Sequence, residues 1–394
     1  MDKYLKRTWA EIDLDAAEYN YHAIRSALHP GIKMCCVVKA DAYGHGSEVL
    51  ARLYEKLGAD WLAVSNLEEA IQLRNEKVHL PILILGYTPP KMAGQLCALN
   101  ISQALLSEEY AEALNQEAVR QGTTVRCHIK LDTGMSRIGF VYQQPFRDGA
   151  SLDAIERVCN LQGLIHEGIF THFAVADEGE AGRAFTEHQF ACFSGAIKEL
   201  EKRGVTFQLH HCDNSAGVTE YPQMQLDMCR PGVILYGMQP SAALQNPLQL
   251  KPVMALKSVI SLVKTLEPDT PLSYGCTCRT QQKTVVATGP IGYADGYPRM
   301  LSNQGEVLVH GHRAKILGRV CMDQLMIDVT GIENVHADDE VTLIGCEGEE
   351  SISAAEIAGL CKTINYEITC DINKRVSRVY LRNGKPVSVT NLIC

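Results

Sequence analysis

The sequence predicts a two-domain α/β chain: an N-terminal (β/α)8 barrel over residues 1–240, then a mostly β domain over residues 241–394. Three observations carry this reading. The 394 residues exceed one ordinary domain. Strand-like and helix-like segments alternate through the first 240 or so residues. After about Met238 the texture changes to closely spaced β runs.

The barrel elements follow in order. β-rich runs fall at Met34–Val38, Trp61–Val64, Ile82–Leu85, Ser102–Leu106, Val125–Leu131, Gly168–His172, Phe207–His211 and Gln225–Cys229. Amphipathic stretches lie between them, such as SEVLARLYEKLG and AFTEHQFACFSGAIKELEKRG, the latter stopping at Arg-Gly. Such alternation implies a parallel sheet, and eight units of this size fit a closed barrel. The rival is an open doubly wound sheet, but no GxGxxG follows an early strand. Gln239–Gln249 reads as a linker. The runs VISLVKTL, TVVATGPIG, EVLVHG, AKILGRVC, LMIDVTG and EVTLIG then follow, with one helical patch, SAAEIAGLCKT. VSRVYLRNG and PVSVTNL close the chain around an Asn-Gly turn.

Composition bounds the function. A net charge of −9 argues against nucleic acid or an anionic membrane as partner. No apolar run reaches the ~18–20 residues of a membrane span, and the first residues lack a signal-peptide core, so a cytoplasmic protein is expected. The 15 cysteines are then expected to be free thiols, mostly core filler. No metal site is expected: there is no CxxC pair, and the pairs His210/His211 and His310/His312 lack a nearby third ligand.

The run CCVVKADAYGHG puts Lys39 at the end of an almost wholly apolar strand, where barrel enzymes build their sites. Low-dielectric walls there favour a neutral amine, the form that makes a Schiff base. On position alone a solvated lysine is the commoner case. Tyr43 could offer a phenol to a phosphate. Barrels often bind phosphate in the loops after strands seven and eight. Ser215 follows the seventh run, and Gly232 and Val233 follow the eighth, where a helix could start at Pro231.

VVKADAYGHG resembles the pyridoxal-phosphate (PLP) lysine motif of the alanine racemases. HIKLDTGMSRIGF, FTHFAVADE, HHCDNSAG, DMCRPGVILYG, PLSYG, GYADGYPR, GRVCMDQLMIDV and TINYEI resemble further family segments, in family order, from about Trp9 to Tyr380. The resemblance implies a barrel followed by a β-rich domain, and head-to-tail homodimers in which each subunit completes its partner's active site. It implies that Lys39 carries PLP and works on one face of the substrate Cα, with Tyr274 from the other subunit on the opposite face. His172 and Arg230 match residues that chain to this tyrosine, and Arg230 matches the arginine facing the pyridine nitrogen. Arg137 matches the arginine that touches the PLP phenolic oxygen and the substrate carboxylate. Lys130 matches a supporting lysine that many members carbamylate; its plainer reading is a barrel lysine paired with Asp132. Ser215, Gly232, Val233, Tyr43 and Tyr366 match the phosphate contacts. Met322 and Asp323 match residues near the substrate. Tyr293 matches an entrance tyrosine, and a structural role suits it equally. Two positions depart from the usual pattern: Ser377 replaces a proline, and Asp213 a small residue.

The implied activity is interconversion of L- and D-alanine, supplying D-alanine for peptidoglycan. A serine or broad-spectrum racemase shares the scaffold, but the bulk of Tyr366 argues for a small substrate. A non-catalytic PLP-binding homeostasis protein would lack the second domain and its LSYG tyrosine. A decarboxylase of the related fold would place a carboxylate where Arg230 stands.

Overall fold

The computed structural model describes residues 4–391. The chain divides into two compact units. One comprises Glu18–Ala42 and Ser47–Leu250. The other comprises the residues up to Ala17, Tyr43–Gly46, and the chain from Lys251 onward.

The first unit is the expected barrel. Its eight parallel strands are Lys33–Val37, Trp61–Val64, Ile82–Ile84, Ile101–Leu105, Val125–Asp132, Leu164–Phe170, Leu209–His211 and Met228–Cys229. Each pairs with its sequence neighbour through the seventh, and the eighth pairs with the first. Between the seventh and eighth, the Asp227 N–H donates to His210 O (3.1 Å) and the Arg230 N–H to Asp213 O (3.0 Å). Trp61–Val64, Ile82–Ile84 and Ile101–Leu105 are buried throughout. The first two accordingly read as unbroken apolar runs and not as alternating ones, whereas Ile101–Leu105 also buries Ser102 and Gln103, the latter with its amide donating to Gly86 O (2.7 Å) and Ala104 O (2.8 Å). Helices intervene, three of them started by a side-chain cap. Asn66 accepts from the Glu69 N–H, Ser107 from the Tyr110 N–H and Asn214 from the Gly217 N–H. The long helix Glu180–Lys202 stops at the Arg-Gly pair, with Gly204 at φ +79°.

The second unit is built on one long sheet. Its strands run in the order Leu262–Leu266, Thr284–Gly289, Leu325–Asp328, His312–Leu317, Glu306–Val309, Glu340–Glu347, Met254–Val259, Thr8–Asp13, Ser377–Arg382, Lys385–Thr390. The helical patch is Ala354–Cys361. The Asn-Gly turn joins the last two strands, with Asn383 at φ +49° and Gly384 at φ +69°. Two details differ from the sequence reading. VISLVKTL is broken at Ile260–Ser261 into two separate strands. Thr8–Asp13, taken with the barrel on sequence, is a central strand of this sheet, antiparallel to Met254–Val259 and parallel to Ser377–Arg382. It fills a gap between two strands, and Trp9, Ala10 and Ile12 are fully buried there.

Candidate active site

Lys39 stands two residues past the end of the first barrel strand and is half-buried. The chain then does something rare. Ala40, Asp41, Ala42 and Tyr43 all have φ between +51° and +54°, one turn of left-handed helix, and Gly44 follows at φ +83°. A left-handed conformation costs a residue with a Cβ roughly 1–2 kcal/mol, so this turn must be held by its surroundings. Within the barrel unit the Ala40 N–H donates to Glu69 Oε1 (2.8 Å) and the Ala42 N–H to Val38 O (2.9 Å). Asp41 Oδ1 accepts from the Ser47 N–H (2.7 Å) and Oγ (3.1 Å).

A group of cations gathers at the C-terminal ends of the strands. Arg230 is buried at the end of the eighth strand. Its Nη2 donates to Thr171 O (2.7 Å) and Cys212 O (2.9 Å) and stands 3.4 Å from His172 Nδ1; its Nη1 donates to His211 Nδ1 (2.7 Å). Its Cζ lies 5.3 Å from the centre of the Phe170 ring. Every one of these acceptors is neutral. Lys130, also buried, donates to Leu131 O (2.8 Å) and lies 5.6 Å from the same ring. Burial pulls its amine down to about 7; Asp132 opposes that pull, and Arg230 and Arg137 reinforce it. His172 is held well below the usual histidine range by burial and by the charges of Arg230, Lys130, Arg137 and Lys39. Asp132 Oδ1 takes the backbone N–H groups of Gly134 and Ser136 (3.0 Å each), which fixes the loop that carries the exposed Arg137.

After strands seven and eight the backbone forms a small cradle. Ser215 opens the helix Ser215–Glu220, and its Oγ accepts the Gly232 N–H (2.9 Å). Val233 begins the 3-10 turn Val233–Tyr236, where the Tyr236 hydroxyl donates to Val37 O (2.7 Å) on the first strand. The structure thus brings Lys39, Lys130, Arg137, His172 and Arg230 into electrostatic reach of one another, and pairs Ser215 with Gly232.

The remaining candidates belong to the β unit. Tyr43 is buried with its ring 5.9 Å from that of Tyr366, and burial raises its phenol well above the usual tyrosine range. A Cβ at residue 44 would fall 2.0 Å from Thr369 O, so the glycine beside Tyr43 is required. Tyr293, Met322 and Asp323 come together. The Tyr293 N–H donates to Cys321 O (3.1 Å) and the Ala294 N–H to Met322 O (3.0 Å), over a Gly292 that no side chain could replace. Asp323 pairs with Arg375 (2.5 Å). Arg375 also pairs with the buried Asp295, which takes Arg7 as well. Arg7, Asp295 and Arg375 were not singled out on sequence; their meeting is wholly tertiary. Tyr274 stands elsewhere, 71% exposed, on a tight turn whose flanks Ser273, Gly275 and Cys276 all have positive φ.

Among the described residues no three His, Cys, Asp or Glu side chains are grouped to hold a metal ion. His210 pairs with Asp227 (2.7 Å) and His310 with Asp339 (3.1 Å). No described helix is long and apolar enough to cross a membrane.

Comparison with known proteins agrees with the resemblance read from the motifs. Residues 12–240 match the family model for the alanine racemase N-terminal domain, and residues 253–380 that for the C-terminal domain. The chain is 44% identical to an alanine racemase of Desulfovibrio desulfuricans over 97% of its own length and all of that protein's. It is 40% identical to alanine racemase 1 of Clostridium acetobutylicum over the full length of both. Its structure superimposes on an alanine racemase of Clostridium difficile with a TM-score of 0.93, at 39% identity, covering both chains entirely.

Proposed function

Because the chain belongs to the alanine racemase family, we propose that it interconverts L- and D-alanine with PLP held by Lys39, and that a second copy completes each site. The observation that supports this best is the setting of Arg230, a buried cation whose hydrogen bonds all go to neutral acceptors. Those bonds engage Nη1 and Nη2; Nε is the donor we assign to the pyridine nitrogen.

The residues fit the cofactor. Lys39, Lys130, Arg137 and Arg230 outnumber the nearby carboxylates of Asp132 and Asp213, and such an excess suits a phosphate and a substrate carboxylate. Ser215 and the Val233 N–H would hold the phosphate, together with the Gly232 N–H once it turns from Ser215 Oγ to the ligand; the resemblance adds the phenols of Tyr43 and Tyr366. When bound, PLP supplies an electron sink that acidifies the substrate Cα–H. An always-charged arginine at its ring nitrogen leaves that nitrogen unprotonated and limits the sink, which favours return of the proton to Cα.

The proton work falls to this chain's own groups. Lys39 Nζ takes or returns the proton on one face, and the Tyr274 hydroxyl of a partner copy does so on the other. Display of Tyr274 on an exposed turn suits a residue given to another subunit. Arg137 and the Met322 N–H bind the substrate carboxylate. Lys130, modified or not, steadies Arg137; its half-neutral amine near pH 7 is the form that adds carbon dioxide, and the resulting carbamate would be an anion beside that arginine. Asp323 and Tyr293 line the approach. A cytoplasmic setting, with D-alanine passing to peptidoglycan, suits the cysteines, which are free thiols among the described residues.

The test is a chiral assay of the purified chain on alanine and serine, with borohydride reduction and peptide mapping. We expect turnover of both alanine enantiomers and a reduced adduct on Lys39. A higher kcat/KM for serine, or an adduct elsewhere, would overturn the reading.

A further inference from the structure

Two buried histidines lie beneath Arg230, and their hydrogen bonds leave no freedom in where the protons sit. Arg230 Nη1 meets His211 Nδ1 at 2.7 Å. His211 Nε2 meets His128 Nδ1 at 2.9 Å. A guanidinium has only donors, so His211 Nδ1 must be bare. The one proton of a neutral His211 is therefore on Nε2 and is donated to His128. His128 Nδ1 must then be bare too, and its proton sits on Nε2. That nitrogen is buried without a hydrogen-bond partner and faces Glu167 Oε2 at 3.9 Å. Glu167 in turn takes the Ser102 hydroxyl (2.6 Å) and pairs with Arg126 (2.5 Å).

The rings are built in. Phe170 stacks on His211 with centroids 4.9 Å apart and planes 2° from parallel. Trp61 meets His128 edge-on at 5.4 Å. A Cβ on Gly168 would stand 2.6 Å from His128 Nδ1, so the sixth strand keeps a glycine where the ring passes. The charged and titratable groups facing the pair are Arg230, Lys130 and His210 near His211, and Glu167 with Arg126 near His128. Burial and the charge of Arg230 hold both rings below the usual histidine range, His128 at about 3. Geometry says the same, because a second proton on either ring would set two donors against each other.

We propose that His211 and His128 are positioning residues for Arg230: a one-way donor chain, Arg230 to His211 to His128, directed at the Glu167 carboxylate, that fixes how the guanidinium is aimed and polarised toward the cofactor ring. The inference rests on the reading of Arg230 given above. Carboxylate–histidine pairs behind metal sites act in this way, orienting a ligand and tuning it from a second layer.

The test has two arms. Long-range 15N–1H spectra of 15N-histidine-labelled holoenzyme, assigned with H128Q and H211Q, should show bare Nδ1 and protonated Nε2 in both rings, with no titration between about pH 5.5 and 8. A protonated Nδ1 in either ring, or titration in that window, overturns the proposal whatever the activity. The second arm compares H128L with H128Q. Leucine removes the acceptor, whereas the glutamine carbonyl restores one. We expect H128L to lower kcat for alanine about tenfold with KM within about twofold, and to shift the cofactor absorption and the His211 15N pattern, with H128Q recovering most of each. Equal loss in both variants, or wild-type kcat in H128L, would reduce the pair to core filling. If the wild type does not racemise alanine but shows the stated protonation, the functional reading fails and the donor chain stands.

Discussion

Asp213 stands two residues after the seventh barrel strand, fully buried, with two thiols donating to its carboxylate: Cys212 (3.6 Å) and Cys229 (3.4 Å). On sequence it was only a departure from a small residue. In the structure it is a charge near Arg230, and burial lifts its carboxyl to about 6, against the pull of the thiols and of Arg230. The folded protein therefore keeps a proton that the unfolded chain releases near pH 4. Between about pH 4 and 6 the native state binds more protons, so stability falls as pH rises through that window. Above it the buried carboxylate costs up to ~3 kcal/mol for a shift of about two pKa units. Asp213→Asn removes that cost. Urea denaturation should find the variant more stable than wild type at about pH 8, with the difference closing near pH 4. A gap of the same size at both pH values would mean that Asp213 does not titrate as its setting requires.

At the scale of elements, the eight barrel strands were legible as β-rich runs alternating with amphipathic stretches, and strands buried on both faces, such as Trp61–Val64 and Ile82–Ile84, left unbroken apolar runs. The helices were legible through their apolar stripes and stops. Two elements were not. Thr8–Asp13 is a sound strand by composition, but its partners lie some 240 residues or more away in sequence, and no local signal says which sheet it joins. The left-handed turn after Lys39 was hidden too. Ala40, Asp41 and Ala42 carry no preference for positive φ strong enough to announce it, and only Gly44 hints at it. The turn is imposed by Glu69, Ser47 and the strand before it. Its strain has a measurable consequence. Ala40 is exposed, so a substitution there tests the backbone and little else. Ala40→Gly should relieve roughly 1–2 kcal/mol of strain and lose roughly 0.5–1 kcal/mol to the freer unfolded chain, a small net gain. Ala40→Val adds a β-branch at positive φ and should cost more than ~2 kcal/mol, with kcat falling because Lys39 begins the turn. Denaturation curves and alanine turnover of the two variants check this. Indistinguishable valine and glycine variants would be incompatible with a left-handed Ala40.

For the whole molecule, the candidate residues fall into two sets: the cations and the Ser215–Gly232 cradle belong to the barrel unit, and the tyrosines and the Met322–Asp323 loop to the β unit. Motifs made each set readable, since Lys39 and Arg230 in the barrel unit, and Tyr274 and Met322 in the β unit, lie in short runs of recognisable sequence. What the sequence could not supply was the support behind each set, the histidines under Arg230 and the Arg7–Asp295–Arg375 cluster behind Asp323. Those are contacts between residues far apart in the chain. The proposed division of labour between subunits has a sharp consequence. If Lys39 and Tyr274 act in one site but come from different copies, Lys39→Ala and Tyr274→Phe preparations, each nearly inactive in racemisation, should complement when unfolded together and refolded. Random pairing makes half the dimers mixed, and each mixed dimer holds one site with both defects and one with neither, so about a quarter of wild-type activity should return. If both residues came from the same copy, every site would carry a defect and nothing would return. Proton exchange at Cα in single turnovers then separates the two faces. The Tyr274→Phe homodimer should lose far more exchange from L-alanine than from D-alanine, because Lys39 still serves the other face. Equal losses on the two enantiomers would break the assignment of one residue to each face, even if complementation succeeded.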